Sequence, residues 1–265
     1  MQNIHLRFPK GLKKCVTLSY DDGKVYDRDL VEILNKYKIK ATFCLNSKNL
    51  DKDTYVKSSE IKELYGGHEI ACHTYSHPYI ENMPIGQVIL EILEDRKNLE
   101  SICGYIVRGM SYPYGSYSDE IVSLLPSLGI EYSRIVGSSF NYDIPQDFYL
   151  WKATCHHNDN LLENAKRFLL PNHKDNLELL YVWGHSYEFY NDNNFNLIEE
   201  FCKMLYENPD IYFATNIEIA DYIKASKNLK FSADFSMVYN PSNLDIYLDV
   251  GGKIVKAEKG KLLRL

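Results

Sequence analysis

The chain has no surplus of positive charge: 30 Lys and Arg stand against 36 Asp and Glu, a net charge of −6. That balance, with no basic arm, excludes nucleic acid as a partner, because such binding needs a cationic footprint. No apolar run approaches the ~20 residues of a membrane span, so no membrane partner is expected. The opening MQNIHLRFPKGL has neither an uninterrupted apolar core nor a small-residue cleavage site, and a cytoplasmic protein is the expectation. The six cysteines (Cys15, Cys44, Cys72, Cys103, Cys155, Cys202) form no C-x-x-C pair, a pattern that suits free thiols filling a core better than a disulfide framework. No G-x-S-x-G occurs, and Gly137-Ser138-Ser139 lacks the second glycine of a nucleophile elbow. Cys72 and His73 are adjacent, so on a strand they face apart. Repeats, linkers and low-complexity tracts are also missing from the 265 residues, which leaves one large α/β domain or two small ones.

What is present is organised around one stretch. The apolar run Cys15-Val16-Thr17-Leu18 leads into Ser19-Tyr20-Asp21-Asp22-Gly23, which reads as a buried strand delivering two carboxylates to its C-terminal end. A turn at Gly23 lets both side chains reach one cleft. A bound metal would help keep two such neighbours ionised. Helical spacing follows at Leu30, Ile33, Leu34 and Tyr37, then a strand over Ala41–Leu45, a short helix ended by Gly66-Gly67, and a strand from His68 to Cys72. A long helix starts at Pro84, a short strand is expected over Ile106–Arg108, and further strands over Tyr132–Val136, Trp151–Cys155, Leu179–Trp183 and Ile211–Ala214.

Strands and helices alternating at this interval imply a parallel sheet or barrel, whose site lies at the C-terminal ends of the strands. Asp21 and Asp22, His73, and His185 all follow strands, so they gather at one rim. From about Leu229 the pattern changes to apolar alternation, expected to form a small β appendage covering a barrel end. The division is therefore a barrel over 1–226 and a β-rich extension over 227–265.

His73-Thr74-Tyr75-Ser76-His77 sets two imidazoles four residues apart, able to converge on one cation. Asp22 completes a two-His, one-carboxylate set of the kind that holds catalytic Zn²⁺ or non-haem Fe²⁺. His68-Glu69 does not open a metalloprotease motif, since the next histidine is five residues on rather than four. Cys155-His156-His157 is a second cluster that could claim a metal.

With these residues assembled, the chain resembles the NodB-homology polysaccharide deacetylases, carbohydrate esterase family four. Ser19-Tyr20-Asp21-Asp22-Gly23 is similar to the family's T-F-D-D-G, His73 to His77 to its H-S/T-x-x-H, Tyr112-Pro113-Tyr114-Gly115 to its R-x-P-Y-G segment, and Leu180 to His185 to its late strand end. The resemblance implies a distorted (β/α)7-type barrel with a divalent metal held by Asp22, His73 and His77. It also implies Asp21 as general base, His185 as general acid and the Tyr114 backbone N–H as an oxyanion donor. Zn²⁺ is the expected ion, with Co²⁺, Fe²⁺ or Ni²⁺ accepted by the same ligands.

The implied activity is hydrolysis of an N-acetyl group on a sugar or oligosaccharide, releasing acetate. A non-sugar amide as substrate, and a carbohydrate-binding protein that has lost turnover, are the alternatives. Two departures stand out. Position 111 is serine where the family has arginine, so Arg108 is expected to be brought back by a bulge. The acidic-Trp motif is altered, so Trp151 is expected to supply the aromatic wall, while Asp143, Asp147 and Glu188 compete to orient His185.

Overall fold

The run beginning at Cys15 becomes the central strand of a parallel barrel. The computed structural model describes residues 3–171 and 175–265. In chain order the first elements are β1 (Ile4–Arg7), β2 (Lys14–Asp21), α1 (Asp27–Lys36), β3 (Thr42–Leu45), α2 (Ile61–Leu64) and β4 (Glu69–Cys72). Then come α3 (Ile85–Cys103), β5 (Gly109–Ser111), α4 (Asp119–Leu124), β6 (Tyr132–Ser138), β7 (Trp151–Ala153), β8 (Cys155–His156) and α5 (Leu161–Leu169). The barrel ends with β9 (Glu178–Gly184), α6 (Ser186–Asn191), α7 (Phe195–Tyr206), β10 (Ile211–Phe213) and α8 (Asn216–Lys227).

The main sheet runs β7-β6-β5-β4-β3-β2-β9-β8, with β10 alongside the start of β2. Its pairings are all parallel. Only Thr154 separates β7 from β8, so one short stretch serves both edges, and its N–H donates to the Tyr181 carbonyl at 2.8 Å. The sheet thereby nearly closes, which is the α/β barrel the alternation implies.

Period-two alternation sorts each strand into two faces. Val16, Leu18 and Tyr20 of β2 join the large apolar cluster with Leu30 and Leu34 of α1 and Ile92 and Leu99 of α3. Their neighbours Thr17, Ser19 and Asp21 turn inward and find polar partners: Thr17 donates to Asn216 at 2.8 Å, and Ser19 meets the Tyr181 hydroxyl at 3.0 Å. The inner row continues through Glu69 and His73, Ser111, and Tyr132 and Arg134, all buried. A polar barrel interior of this kind is stable only because its groups pair with one another.

The strand expected at Ile106–Arg108 forms three residues later, over Gly109–Ser111. The Tyr132 ring occupies the space a side chain at 109 would fill, with its Cζ 2.2 Å from an ideal Cβ, so only glycine fits there. A strand search that weights β-branched residues passes over such a position.

Beyond α8 lie β11 (Lys230–Phe231), β12 (Met237–Tyr239), β13 (Ile246–Val250), β14 (Lys253–Ala257) and β15 (Leu262–Arg264). They make two antiparallel sheets, β11-β12-β15 and β1-β13-β14. The second sheet recruits β1 from the opposite end of the chain, pairing Ile4 with Val250 and Arg7 with Tyr247. Ile246, Leu248 and Val250 pack in one cluster with Cys15, Leu179 and Ile223, near the starts of β2 and β9 and against α8. The extension therefore lies at the end of the barrel away from Asp21. All six cysteines are free and buried.

Glu69 shows what the polar interior costs. Burial pushes its carboxyl up to about 7, although the Ile217 N–H, the Tyr132 hydroxyl and the Thr42 hydroxyl donate to it. The folded protein thus keeps this proton to a higher pH than the unfolded chain, whose Glu titrates near 4.5. The group's contribution to stability is full below that value and declines as pH rises toward 7. Glu69→Gln is expected to flatten this slope in urea midpoints measured from pH 5 to 8, by on the order of 1 kcal/mol. Parallel slopes in the two proteins would contradict it.

Candidate active site

A cleft of about 520 Å³ opens at the C-terminal ends of the strands, lined among others by Asp21, Asp22, His73, His77, Tyr114 and His185. Adjacent Asp21 and Asp22 should face apart, and Asp21 keeps to the inner row. Asp22 breaks the alternation by adopting a left-handed backbone, φ 80°. Aspartate tolerates that conformation better than most residues. His77 (φ 60°) and Tyr114 (φ 57°) share it, so three of the cleft's residues hold unusual backbone angles. Such clustering is typical of functional sites.

His73 follows β4 directly, its backbone N–H donating to Asp95 at 3.0 Å. Its Nδ1 lies 2.8 Å from the Ser111 carbonyl, which can only accept. Nδ1 therefore carries the proton and Nε2 presents a lone pair to the cleft. The His77 Nε2 stands 3.1 Å from that atom. Asp22 Oδ1 lies 3.6 Å from the His77 nitrogen and 3.9 Å from the His73 nitrogen. The edge between two ligands of a tetrahedral Zn²⁺ is about 3.3 Å, so the three atoms fit one ion. Burial, and then the neighbouring His73, lower the His77 pKa and keep it neutral, the form a cation needs.

Asp21, beside this set, takes a different partner. Burial alone would raise its pKa, but Arg134, His73 and His185 outweigh burial and hold the carboxyl well below the usual range. The Arg134 guanidinium donates directly to Asp21 Oδ2, and the Ser111 hydroxyl donates to Oδ1 at 3.1 Å. Arg134 is itself buried and lies 4.3 Å from the centre of the Trp183 ring.

Two expectations need correction. Arg108 does not enter the cleft: it precedes β5 at the N-terminal end of the barrel and forks onto Asp221 at 2.7 and 2.9 Å, with Glu131 at 3.1 Å. Three residues of strand, roughly 10 Å, separate it from Ser111. Trp151 is not a wall of the cleft either: it is 1% exposed and packs edge-on against Tyr132, Phe148 and Tyr181. The tryptophan lining the cleft is Trp183, on the inner row of β9.

Sequence reading missed Arg134. It is the register partner of Ser111 across the β5-β6 pairing, so a guanidinium absent from position 111 arrives from the adjacent strand. The signal was its place two residues after Tyr132, on the inward face. His185 caps α6, and of the three acids considered for it Glu188 is in contact, 3.2 Å from Nδ1. Tyr114 turns its ring against Tyr79, centroids 4.1 Å apart and nearly parallel, at the rim.

A nearly closed parallel barrel thus carries at its rim a two-His, one-carboxylate set that could hold a cation, beside a second, arginine-bound carboxylate. Residues 9–133 match the family model described as polysaccharide deacetylase. The peptidoglycan-N-acetylmuramic acid deacetylase PdaC of Bacillus subtilis is 28% identical over 113 residues, 42% of this chain and 24% of that protein. A polysaccharide deacetylase-type structure from Mycobacterium smegmatis superposes with a TM-score of 0.64 at 16% identity, covering 86% of this chain and 96% of that one. A CE4 family pseudoenzyme from Bacillus anthracis gives 0.54 at 19% identity, covering 82% and 68%. The chain is thus a relative of the NodB-homology polysaccharide deacetylases, in its motifs and in its fold. The match with PdaC spans only about a quarter of that protein's length. Among the described residues, no helix is long and apolar enough to cross a membrane.

Arg134→Met would leave the Asp21 charge buried without its partner. The expected loss is about 3–5 kcal/mol, read from urea midpoints at pH 7. Adding Asp21→Asn removes the stranded charge and should recover much of that loss. A strictly additive double variant would show that the pair does not act as a pair.

Proposed function

We propose that the protein is a metal-dependent deacetylase that hydrolyses the N-acetyl group of a sugar or oligosaccharide and releases acetate. The observation carrying this reading is the division of labour between two adjacent carboxylates. Asp22 joins the Nε2 atoms of His73 and His77, while Asp21 stays ionised beside them through Arg134. A divalent ion held by Asp22, His73 and His77, most simply Zn²⁺, would supply Lewis-acid activation of water and of the acyl oxygen.

The chain's own residues do the rest. Asp21 accepts the proton of the attacking water. A carboxylate held this low is a weak base, but it is never found protonated when substrate arrives. The Ser111 hydroxyl and Arg134 fix its orientation. Tyr114, in its left-handed conformation at the rim, offers its backbone N–H to the oxyanion, a donor worth roughly 3 kcal/mol. His185 protonates the departing amine, which leaves poorly without that proton. Burial would lower its pKa, but Glu188 and Asp21 outweigh burial and raise it above the usual histidine value, so the acid form persists near neutral pH.

The binding-only alternative drew on the missing arginine at position 111. Arg134 provides that guanidinium, and a pure binder would need neither Asp21 nor His185. A non-sugar amide remains the second reading for substrate.

Acetate release from N-acetylglucosamine oligomers, from acetylated xylan and from a simple N-acetyl amine, measured with metal content, tests the proposal. The first substrate is expected to respond. Asp21→Asn should keep the metal and lose turnover by 10²-fold or more, whereas His77→Ala should lose both. Near-normal rates in Asp21→Asn would remove the base assignment, and bound metal without turnover on any substrate would leave a binding protein. Because His185 must be protonated, the rate is expected to fall as pH rises, with that limb above pH 6.5.

A further inference from the structure

We infer that Glu188 and His156 form a two-step chain of positioning residues behind His185: Glu188 holds the His185 ring through Nδ1, and His156 holds Glu188. The inference rests on the reading of His185 as the acid, and extends it to residues that the motif resemblance does not supply.

The geometry begins at the start of α6. His185 is its N-cap and Glu188 stands three residues on, so the carboxylate folds back to accept the His185 backbone N–H at 2.9 Å. The same oxygen, Oε2, lies 3.2 Å from His185 Nδ1. One local motif thus fixes both the backbone and the ring of His185, leaving Nε2 for the cleft.

The second step comes from β8. His156 Nε2 is 3.2 Å from the same Oε2. Its other nitrogen, Nδ1, accepts the Asn158 backbone N–H at 3.1 Å. A backbone amide can only donate, so Nδ1 holds the lone pair and Nε2 carries the proton. His156 is therefore placed to donate to Glu188 across 3.2 Å. Its own backbone is pinned where the His156 N–H meets the Ser138 hydroxyl at 3.1 Å and Asp159 at 3.2 Å.

A third imidazole lies beside the pair. His157 is fully buried and stacks on Phe189 at 4.1 Å, with Tyr20 beyond its other side at 5.9 Å. Burial lowers its pKa to about 3, so it is neutral. Its Nε2 lies 3.3 Å from Glu188 Oε2 without the alignment of a hydrogen bond. Gly184 makes room for it: an ideal Cβ there would sit 2.1 Å from His157 Nδ1. His185 thus faces Glu188 and Tyr187 of α6, His156 of β8 with His157 just after it, Asp21 of β2 with Asp22 just after it, and Asp27 of α1.

The rival occupant of this cluster is a second divalent ion, since His156, His157 and Glu188 also bring ligand atoms within 4.8 Å of one another. The tautomer disfavours it. An ion at His156 Nε2 would move the proton to Nδ1, against the Asn158 N–H.

The test follows the imidazole nitrogens of the Zn²⁺-loaded protein by NMR titration, alongside kcat and KM against pH. Glu188→Gln is expected to lower the His185 pKa by about one unit or more. It should cut kcat at least tenfold with KM unchanged, and move the falling limb of the rate profile to lower pH. A tenfold loss is smaller than the roughly 10²–10⁴-fold that acid-base catalysis contributes, as a positioning role requires. His156→Phe should shift both readouts the same way by less, His156→Gln should restore them by returning an N–H donor, and the pair Glu188→Gln with His156→Phe should be no worse than Glu188→Gln alone. An unchanged His185 pKa in Glu188→Gln overturns the inference, as does a second bound ion per chain that His156→Phe removes. If His185→Ala stays active while Glu188→Gln still shifts the His185 pKa, the acid assignment falls and the positioning chain stands.

Discussion

Two neighbouring carboxylates at the end of a buried strand are the constraint around which this protein is built. Left alone, they would repel and one would take up a proton. The structure separates their fates by backbone geometry. Asp21 follows the strand's alternation into the barrel and meets Arg134, while Asp22 takes a left-handed turn and meets His73 and His77. Ser111 serves both sides: it orients Asp21 with its hydroxyl and His73 with its carbonyl.

That arrangement depends on a barrel whose interior is polar. The inner row of β2, β4, β5, β6 and β9 carries Thr17, Ser19, Glu69, Ser111, Tyr132 and Tyr181, which hydrogen-bond among themselves and to Asp21 and Asn216. The outer row carries the apolar residues that hold the helices. The acids and imidazoles at the rim are thus the last rung of a ladder that runs the length of the barrel. The small sheets built from β1 and the C-terminal strands seal the opposite end, where Tyr222 of α8 donates to the Arg7 carbonyl at 2.6 Å.

Much of this was legible beforehand. The β/α alternation, the rim on which Asp21, Asp22, His73 and His185 meet, and the convergence of the two-His, one-carboxylate set all follow from spacing and strand ends. What escaped the sequence were contacts between elements. Arg134 could not be seen as the partner of Asp21 without the register that places it beside Ser111. Arg108 looked nearer in sequence but lies a strand's length away. Trp151 and Trp183 are alike in composition, and only the inner row of β9 distinguishes the one at the cleft. Residues 186–191 form a helix with no apolar periodicity long enough to announce it, and its capping glutamate supplies the partner of His185.

The most direct test is diffraction from crystals grown with Zn²⁺, using anomalous scattering at the zinc edge. One strong peak is expected within bonding distance of Asp22, His73 and His77, with Asp21 outside the coordination shell and held by Arg134. No peak at that position, or a peak coordinated by Asp21 with Arg134 displaced, would contradict it.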